Sequence, residues 1–388
     1  MKHVFVILAF GLFAANGLAQ KPEQIYGQAR RHKSIAYYKE QAAAWKKVLS
    51  EQPKDANAWY NYYYVNRNLM FCDTIDKRSM DERQKFMSKI TDDMEQQIPN
   101  SYEYNLCRWM TGGGDMTKLP YLKKAAELGP ERTEHLDYMI NIGEISRNLK
   151  DRDTYSQRKF ETGQFSGGII NYNYNVLVGL EPNAILITCG DNDTYPIWLL
   201  QAQGIRKDVN VINLSLIYID EYRDRLFSEL GIEKWQLIAD AEAGKTEADL
   251  ERFRNGIVKH ITANKKKCPV YIALTATERY TKTIEQNLYL TGLAYLYSEA
   301  SVDNVAFLKK NMEQRYALDY LDKSFYQDIS PDMVKMINGN YLVPMVTLYD
   351  HYRLAGDAQR EEWIKGRLLA ISSNTEYEAE IKKRLARN

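Results

Sequence analysis

The sequence predicts a mixed α/β fold that is mainly helical, with irregular helical hairpins flanking a small parallel α/β module. Three observations predict it. Ala184 to Cys189, Val209 to Leu214 and Pro269 to Leu274 are short unbroken apolar runs, the pattern of strands buried on both faces. The first two are joined by a helix-forming stretch, a connection that builds a βαβ unit with parallel strands. The chain on either side of this region reads as amphipathic helices punctuated by Pro53, Pro99 and Pro130, and later by Gly356 and Asp357.

The chain begins MKHVFVILAFGLFAANGLAQ: a basic start, an apolar run from Val4 to Phe13, and the small residues Gly17 and Ala19 where a signal peptidase reads. Residues 1–19 are expected to be a signal peptide cleaved after Ala19. The mature chain is then expected in the periplasm, associated with the outer membrane only through a partner, since no Cys follows the cleavage point to carry a lipid. No segment approaches the roughly 18 uninterrupted apolar residues of a membrane span, so no transmembrane segment is expected in the mature chain.

The 388 residues, 45% of them hydrophobic, are enough for two or three domains with full cores. Lys plus Arg number 52 against 51 for Asp plus Glu, a balance that argues against nucleic acid and against an electrostatically held membrane surface. The four cysteines, Cys72, Cys107, Cys189 and Cys268, are too few for a disulfide framework in an exported chain of this size. Cys189 ends one expected strand and Cys268 begins another, so these two fall at opposite edges of a parallel sheet and cannot bridge. Cys72 and Cys107 both fall in helical sequence, where pairing stays open. Neither CxxC nor a Cys/His spacing for zinc occurs.

Residues 20–153 are expected to form a helical domain, 154–300 the α/β module, and 301–388 further helical hairpins. Around Pro53 the chain resembles tetratricopeptide repeats: Trp45 and Val48 lie on one helix face and Trp59 follows the proline where such repeats place a large residue. Leu122 and Ala125 before Pro130, and Leu136 and Met139 after it, repeat the spacing. The proline intervals are unequal, so an irregular helical solenoid is expected rather than a strict array. Trp59, Tyr60, Tyr62, Tyr63 and Tyr64 must supply part of the core, because consecutive helix positions point all round the axis; the remaining rings suit a groove for a sugar or a peptide. Gly112, Gly113 and Gly114 form a loop, with no Lys-Ser/Thr pair and no preceding strand to make it a phosphate loop.

The centre of the chain is AILITCGDNDTYPIWLLQAQGIRKDVNVINLS, Ala184 to Ser215. Gly190, Asp191, Asn192 and Asp193 are turn formers, Thr194 is expected to cap a helix from Pro196 to Gln203, and Gly204 stops it. The string GDNDTYPIWLLQAQGIRKDVNVINLSL resembles a signature in the soluble module that follows the membrane part of large multi-span bacterial proteins related to protein O-mannosyltransferases. Looser similarity continues through Pro269 to Ala300 and Tyr341 to Leu369. Glycosyl transfer belongs to the membrane-embedded part of those proteins, so the resemblance implies a shared soluble module, not a shared transferase activity.

Ile169 to Leu180, Ile219 to Leu230 and Ala239 to Asn264 are expected helices, and Leu288 to Tyr297 a fourth strand at the sheet edge. The result is a Rossmann-like module whose carboxyl edge, where open α/β sheets bind ligands, gathers Asp191, Asn192, Asp193, Thr194, Tyr195, Asn213, Ser215, Thr275, Thr277 and Glu278. Asp191 and Asp193, two carboxylates beside hydroxyls, suit a divalent cation such as Mg²⁺ or Ca²⁺. They equally suit capping of their own turn. A strand followed by DxD also opens haloacid-dehalogenase-like phosphatases, but Thr194 directly after Asp193 departs from that pattern and no later acidic pair follows. His32, His135, His260 and His351 stand alone, and no GxSxG, HExxH or dinucleotide glycine pattern is present.

Two readings follow. One is an exported, non-enzymatic scaffold or adaptor of the cell envelope that binds a protein partner through its helical hairpins. The other is an accessory or enzyme of envelope glycosylation that holds a glycan, polar ligand or metal at the Asp191/Asp193 loop.

Overall fold

The computed structural model describes residues 21–235, 247–265, 267–276, 278–322 and 327–386. The expected signal peptide, the start of the expected helix at Ala239, Lys266 and Thr277 lie outside the described residues. Contacts divide the chain into two units, one of 21–28 and 33–130, the other of 29–32 and 131–386.

The first unit is helical: α1 (Ile35–Glu51), α2 (Ala56–Cys72), α3 (Met80–Gln97), α4 (Tyr102–Thr111) and α5 (Leu119–Leu128). Each of the first four starts on a Ser or Asp whose side chain accepts a first-turn N–H: Ser34, Asp55, Ser79 and Ser101. Ser79 and Glu82 complete a reciprocal capping box. The aromatic reading separates cleanly. Trp45, Trp59, Tyr60 and Tyr63 are buried, while Tyr62 and Tyr64 are half-buried. Trp59 Nε1 donates to the Pro53 carbonyl at 2.8 Å and Trp45 Nε1 to the Glu23 carbonyl at 2.9 Å, so both indoles find the partner a buried N–H needs.

The second unit opens with α6 (Leu136–Ile145), α7 (Leu149–Glu161) and α8 (Gly167–Val178). The α/β core follows: β1 (Ile185–Thr188), α9 (Tyr195–Ala202), β2 (Asn210–Asn213), α10 (Asp220–Leu230), α11 (Glu247–Ala263), β3 (Val270–Ala273), β4 (Leu288–Leu290) and β5 (Ala294–Tyr297). It ends in α12 (Asn304–Lys310), a π-helical turn Asn311–Arg315, α13 (Asp319–Asp322), α14 (Pro331–Asn338), α15 (Leu342–Ala355), α16 (Ala358–Ser372) and α17 (Glu378–Leu385). Gly356, in the left-handed region at φ +70°, ends α15, and the Asp357 side chain caps α16.

Strand order is β2-β1-β3-β5-β4. β1 pairs in parallel with both β2 and β3, in register Ile185 to Asn210 and Ile185 to Val270. The expectation of a wholly parallel sheet is corrected: the sheet is mixed. Leu288 to Tyr297, expected as one strand, is an antiparallel hairpin, bent at Gly292 (φ +148°), and its second arm pairs antiparallel with β3. Among the described residues between β3 and β4 the helical structure is limited to two short 3-10 turns. β4 runs in the same direction as β3, and the tight turn at Gly292 reverses the chain so that β5 lies antiparallel between them.

Alternation along the strands sends side chains into two cores. Leu186, Val211 and Tyr271 pack with residues of α8, α9, α12, α15 and α16, whereas Ile185, Ile187, Ile212, Val270 and Ile272 pack with α10 and α11. The helix after β1 therefore covers one face and the helices after β2 the other, so the winding reverses between β1 and β3. That gap is the topological switch point of the parallel core.

Candidate functional site

The loop 189–194 leaves β1 at this switch point. Asp193 is 3% exposed, and its carboxylate turns inward. Its Oδ2 accepts the Cys189 N–H at 3.0 Å and its Oδ1 the Gly190 N–H at 2.7 Å. The Thr194 hydroxyl donates to Oδ1 at 3.2 Å, and the Thr275 hydroxyl, from the end of β3, donates to Oδ2. A carboxylate offers about four lone-pair sites, and four donors of the protein meet them. Burial pushes the Asp193 carboxyl above its ordinary value, and the bonds from Thr275, Cys189, Gly190 and Thr194 act in the opposite direction.

Thr194 occupies the N-cap position of α9, but the expectation that its hydroxyl caps the helix is corrected: it makes no cap bond. The hydroxyl lies 2.7 Å from that of Thr188 and accepts the Asn213 side-chain amide at 2.8 Å. The backbone carbonyl of Asp191 instead accepts the Tyr195 N–H at 3.1 Å. Asn213 Oδ1 in turn accepts the backbone N–H groups of Ser215 (2.8 Å) and Leu216 (3.0 Å), and the Ser215 hydroxyl donates to the Cys189 carbonyl at 3.0 Å. The ends of all three parallel strands are thus tied by one hydrogen-bonded network.

Of the expected site residues, the structure brings together Asp193, Thr194, Asn213, Ser215 and Thr275. Asp191 and Glu278 are exposed, the latter opening a short 3-10 turn. Asn192 is half-buried; its carbonyl accepts the Asn173 side-chain amide at 2.8 Å and its own amide donates to the Ala29 carbonyl at 3.1 Å. Tyr195 is half-buried, edge-on to Trp198 with ring centroids 5.5 Å apart, and burial pushes its hydroxyl well above the ordinary value, with Asp191 adding to the shift. Among the described residues no group of three or more His, Cys, Asp or Glu side chains is placed to hold a metal ion. None of the four cysteines is in a disulfide, so Cys72 and Cys107 do not pair.

Sequence reasoning missed Thr188, Asn173 and, most of all, Arg206. The Arg206 guanidinium donates to the carbonyls of Leu177 (2.7 Å), Leu180 (2.9 Å) and Glu181 (3.0 Å), closing the end of α8, and pairs with Asp208 through Nε at 2.8 Å. Asp208 Oδ2 also accepts the Asn183 N–H at 2.9 Å. The signal was present in the motif as RKD, a cation and an acid two apart beside a helix end that needs donors.

Among the described residues no helix is long and apolar enough to cross a membrane. No curated protein and no solved structure matches the chain. Residues 169–230, from α8 to α10 and including the whole 189–194 loop, match the family model described as TMEM260-associated domain 2, which links this stretch to a protein O-mannosyltransferase family.

Proposed function

We propose that this chain is an exported, non-enzymatic scaffold or adaptor of the bacterial cell envelope, binding a protein partner through its tetratricopeptide-like helical hairpins. The observation that carries the reading is the engagement of Asp193: the residue best placed for chemistry at the switch point is held by four donors of its own fold. A carboxylate so enclosed serves the fold, because taking up a cation or a sugar hydroxyl would require releasing donors into a buried space. The match over residues 169–230 supports a soluble module held in common with O-mannosyltransferase-related proteins.

The other reading, a glycan, polar-ligand or metal site at the Asp191/Asp193 loop, draws on Asp191, whose exposed carboxylate lies two residues away. A thermal scan with Mg²⁺, Ca²⁺, Mn²⁺ and simple sugars separates the two. The adaptor reading expects an unchanged Tm together with recovery of one envelope protein in constant stoichiometry. A saturable rise in Tm that Asp191→Asn removes would replace it with the glycosylation reading.

A further inference from the structure

The first unit carries a cleft of about 130 Å³ lined by residues of α1, α2, α3 and the connection between the last two, among them Lys39, Asn66, Asp73, Asp76, Arg78 and Phe86. Its charges are layered. The side chains of Asp73 and Asp76 are only 7% and 14% exposed, and each also accepts a backbone N–H of its own loop, from Ile75 and Arg78, both at 3.0 Å. Lys39 and Arg78 are 50% and 49% exposed and cover those acids, at 2.9 Å and 2.8 Å. A third cation, Arg83, is 13% exposed and donates to the Met70 and Asp76 carbonyls, which fixes the shape of the connection. The two acids and Arg83 therefore lie inside, with Lys39 and Arg78 at the mouth, and the lining carries three cations against two acids.

Three large apolar side chains are exposed along this stretch: Phe71 (58%) in the last turn of α2, Ile75 (71%) in the connection and Met80 (54%) at the start of α3. Apolar surface gathered beside a charged rim marks an interaction site. Pockets for drug-sized ligands run to about 300–1,000 Å³, so this cleft suits one side chain of a docked segment and not a free sugar or nucleotide. A guanidinium carries five N–H donors, more than the about four lone-pair sites of one carboxylate.

We propose that the cleft docks a segment of a partner protein in which an acidic side chain is flanked by apolar ones. The carboxylate is received by Lys39 and Arg78, and the apolar neighbours cover Phe71, Ile75 and Met80. The proposal rests on the adaptor reading and gives the partner its chemistry.

The test is fluorescence anisotropy on the full chain with three labelled peptides: alternating Glu and Leu, the same with Gln for Glu, and the same with Ser for Leu. The first is expected to bind at least about tenfold more tightly than the others, a difference near 1.4 kcal/mol, and to weaken as salt rises. Arg78→Glu is expected to abolish that preference. Because Arg78 also holds its own loop, Lys39→Ala provides a second readout; it leaves the Asp73 carboxylate without its cation, so its binding is measured below its own Tm, and Met116→Ser serves as an exposed apolar control. Equal binding of all three peptides, no binding, or binding indifferent to Lys39→Ala would each overturn the proposal. If an envelope protein is still captured in constant stoichiometry while no peptide binds, the cleft is wrong and the adaptor reading stands.

Discussion

The hydroxyl of Thr275, just past β3, donates to the carboxylate of Asp193, just past β1, across the gap where the parallel core reverses its winding. Open α/β sheets leave this gap as the ligand crevice. Here a side chain from each bank closes it.

Replacing Asp193 by Asn leaves one acceptor oxygen where two faced donors, and turns an NH₂ group toward an N–H or a hydroxyl. Asp193→Asn is therefore expected to lower stability by about 2–4 kcal/mol, with Asp193→Ala no milder. Thr275→Val removes one donor and is expected to cost about 1–2 kcal/mol, while Thr275→Ser keeps it. Urea midpoints of the four variants check the ranking. An Asn variant as stable as wild type would mean that the carboxylate is not what holds the loop.

Arg206 holds the carbonyl end of α8 and the Asp208 carboxylate while itself in the left-handed region at φ +46°. Arg206→Ala is expected to cost about 2–4 kcal/mol, because three carbonyls and a carboxylate lose the guanidinium that donates to them. Arg206→Lys should recover little of it, since a point ammonium cannot span that set. Thermal melts of both variants decide.

Asp208 makes that tie sensitive to acid. The Arg206 hydrogen bonds hold its carboxyl down from the ordinary 3.8 to about 2, so the folded state favours the charged form. A carboxyl with a depressed folded pKa contributes stability that is complete above the unfolded value and is lost as pH falls through the folded one. Wild type should therefore lose more stability than Asp208→Asn between about pH 4 and pH 2. Parallel stability curves for the two proteins over that window would remove Asp208 from the acid response.

Trp59 is 8% exposed, and its N–H is held by the Pro53 carbonyl. Trp59→Ala is expected to cost about 3–5 kcal/mol, and Trp59→Phe less, since it keeps most of the volume and loses one bond. A Trp59→Ala protein with the wild-type Tm would return this ring to the binding-surface reading.

The strands that hold this site were legible because their runs are apolar throughout, and the connection through α9 leaves parallel pairing as the available geometry. The meeting of Asp193 with Asn213 and Thr275 follows from that topology alone. Which carboxylate would turn inward was not legible: Asp191 and Asp193 share a type and a loop, and only the three-dimensional course of residues 189–194 separates them. The hairpin at Gly292 was hidden because both its arms are apolar and only Thr291 and Gly292 interrupt them. Arg206 and Glu144 were missed for a common reason: the charged partners of each are near in sequence, but what encloses the pair lies far along the chain, Leu177 to Glu181 for Arg206 and Tyr222 for Glu144.

Glu144 is the largest such case. It is fully buried on α6, where it accepts from Arg152 of α7 at 2.8 Å, from the Tyr222 hydroxyl of α10 at 2.8 Å, and from Arg147. It thereby fastens the α6–α7 pair to the helices covering the sheet. Removing one member of a buried ionic group leaves the others uncompensated, so Glu144→Ala is expected to cost about 3–5 kcal/mol. The loss should arise less from a missing attraction than from stranded cations, and the two causes can be told apart. Arg147 retains Glu229, which it contacts at 2.6 Å, so the stranded cation is mainly Arg152, whose remaining carboxylate partner is Asp153 at 2.9 Å. The double variant Glu144→Met with Arg152→Met places apolar volume on both sides and should be more stable than Glu144→Met alone. If the double variant is instead less stable than Glu144→Met by the full loss of Arg152→Met alone, the two residues are not coupled, and a stranded Arg152 is not the source of the cost.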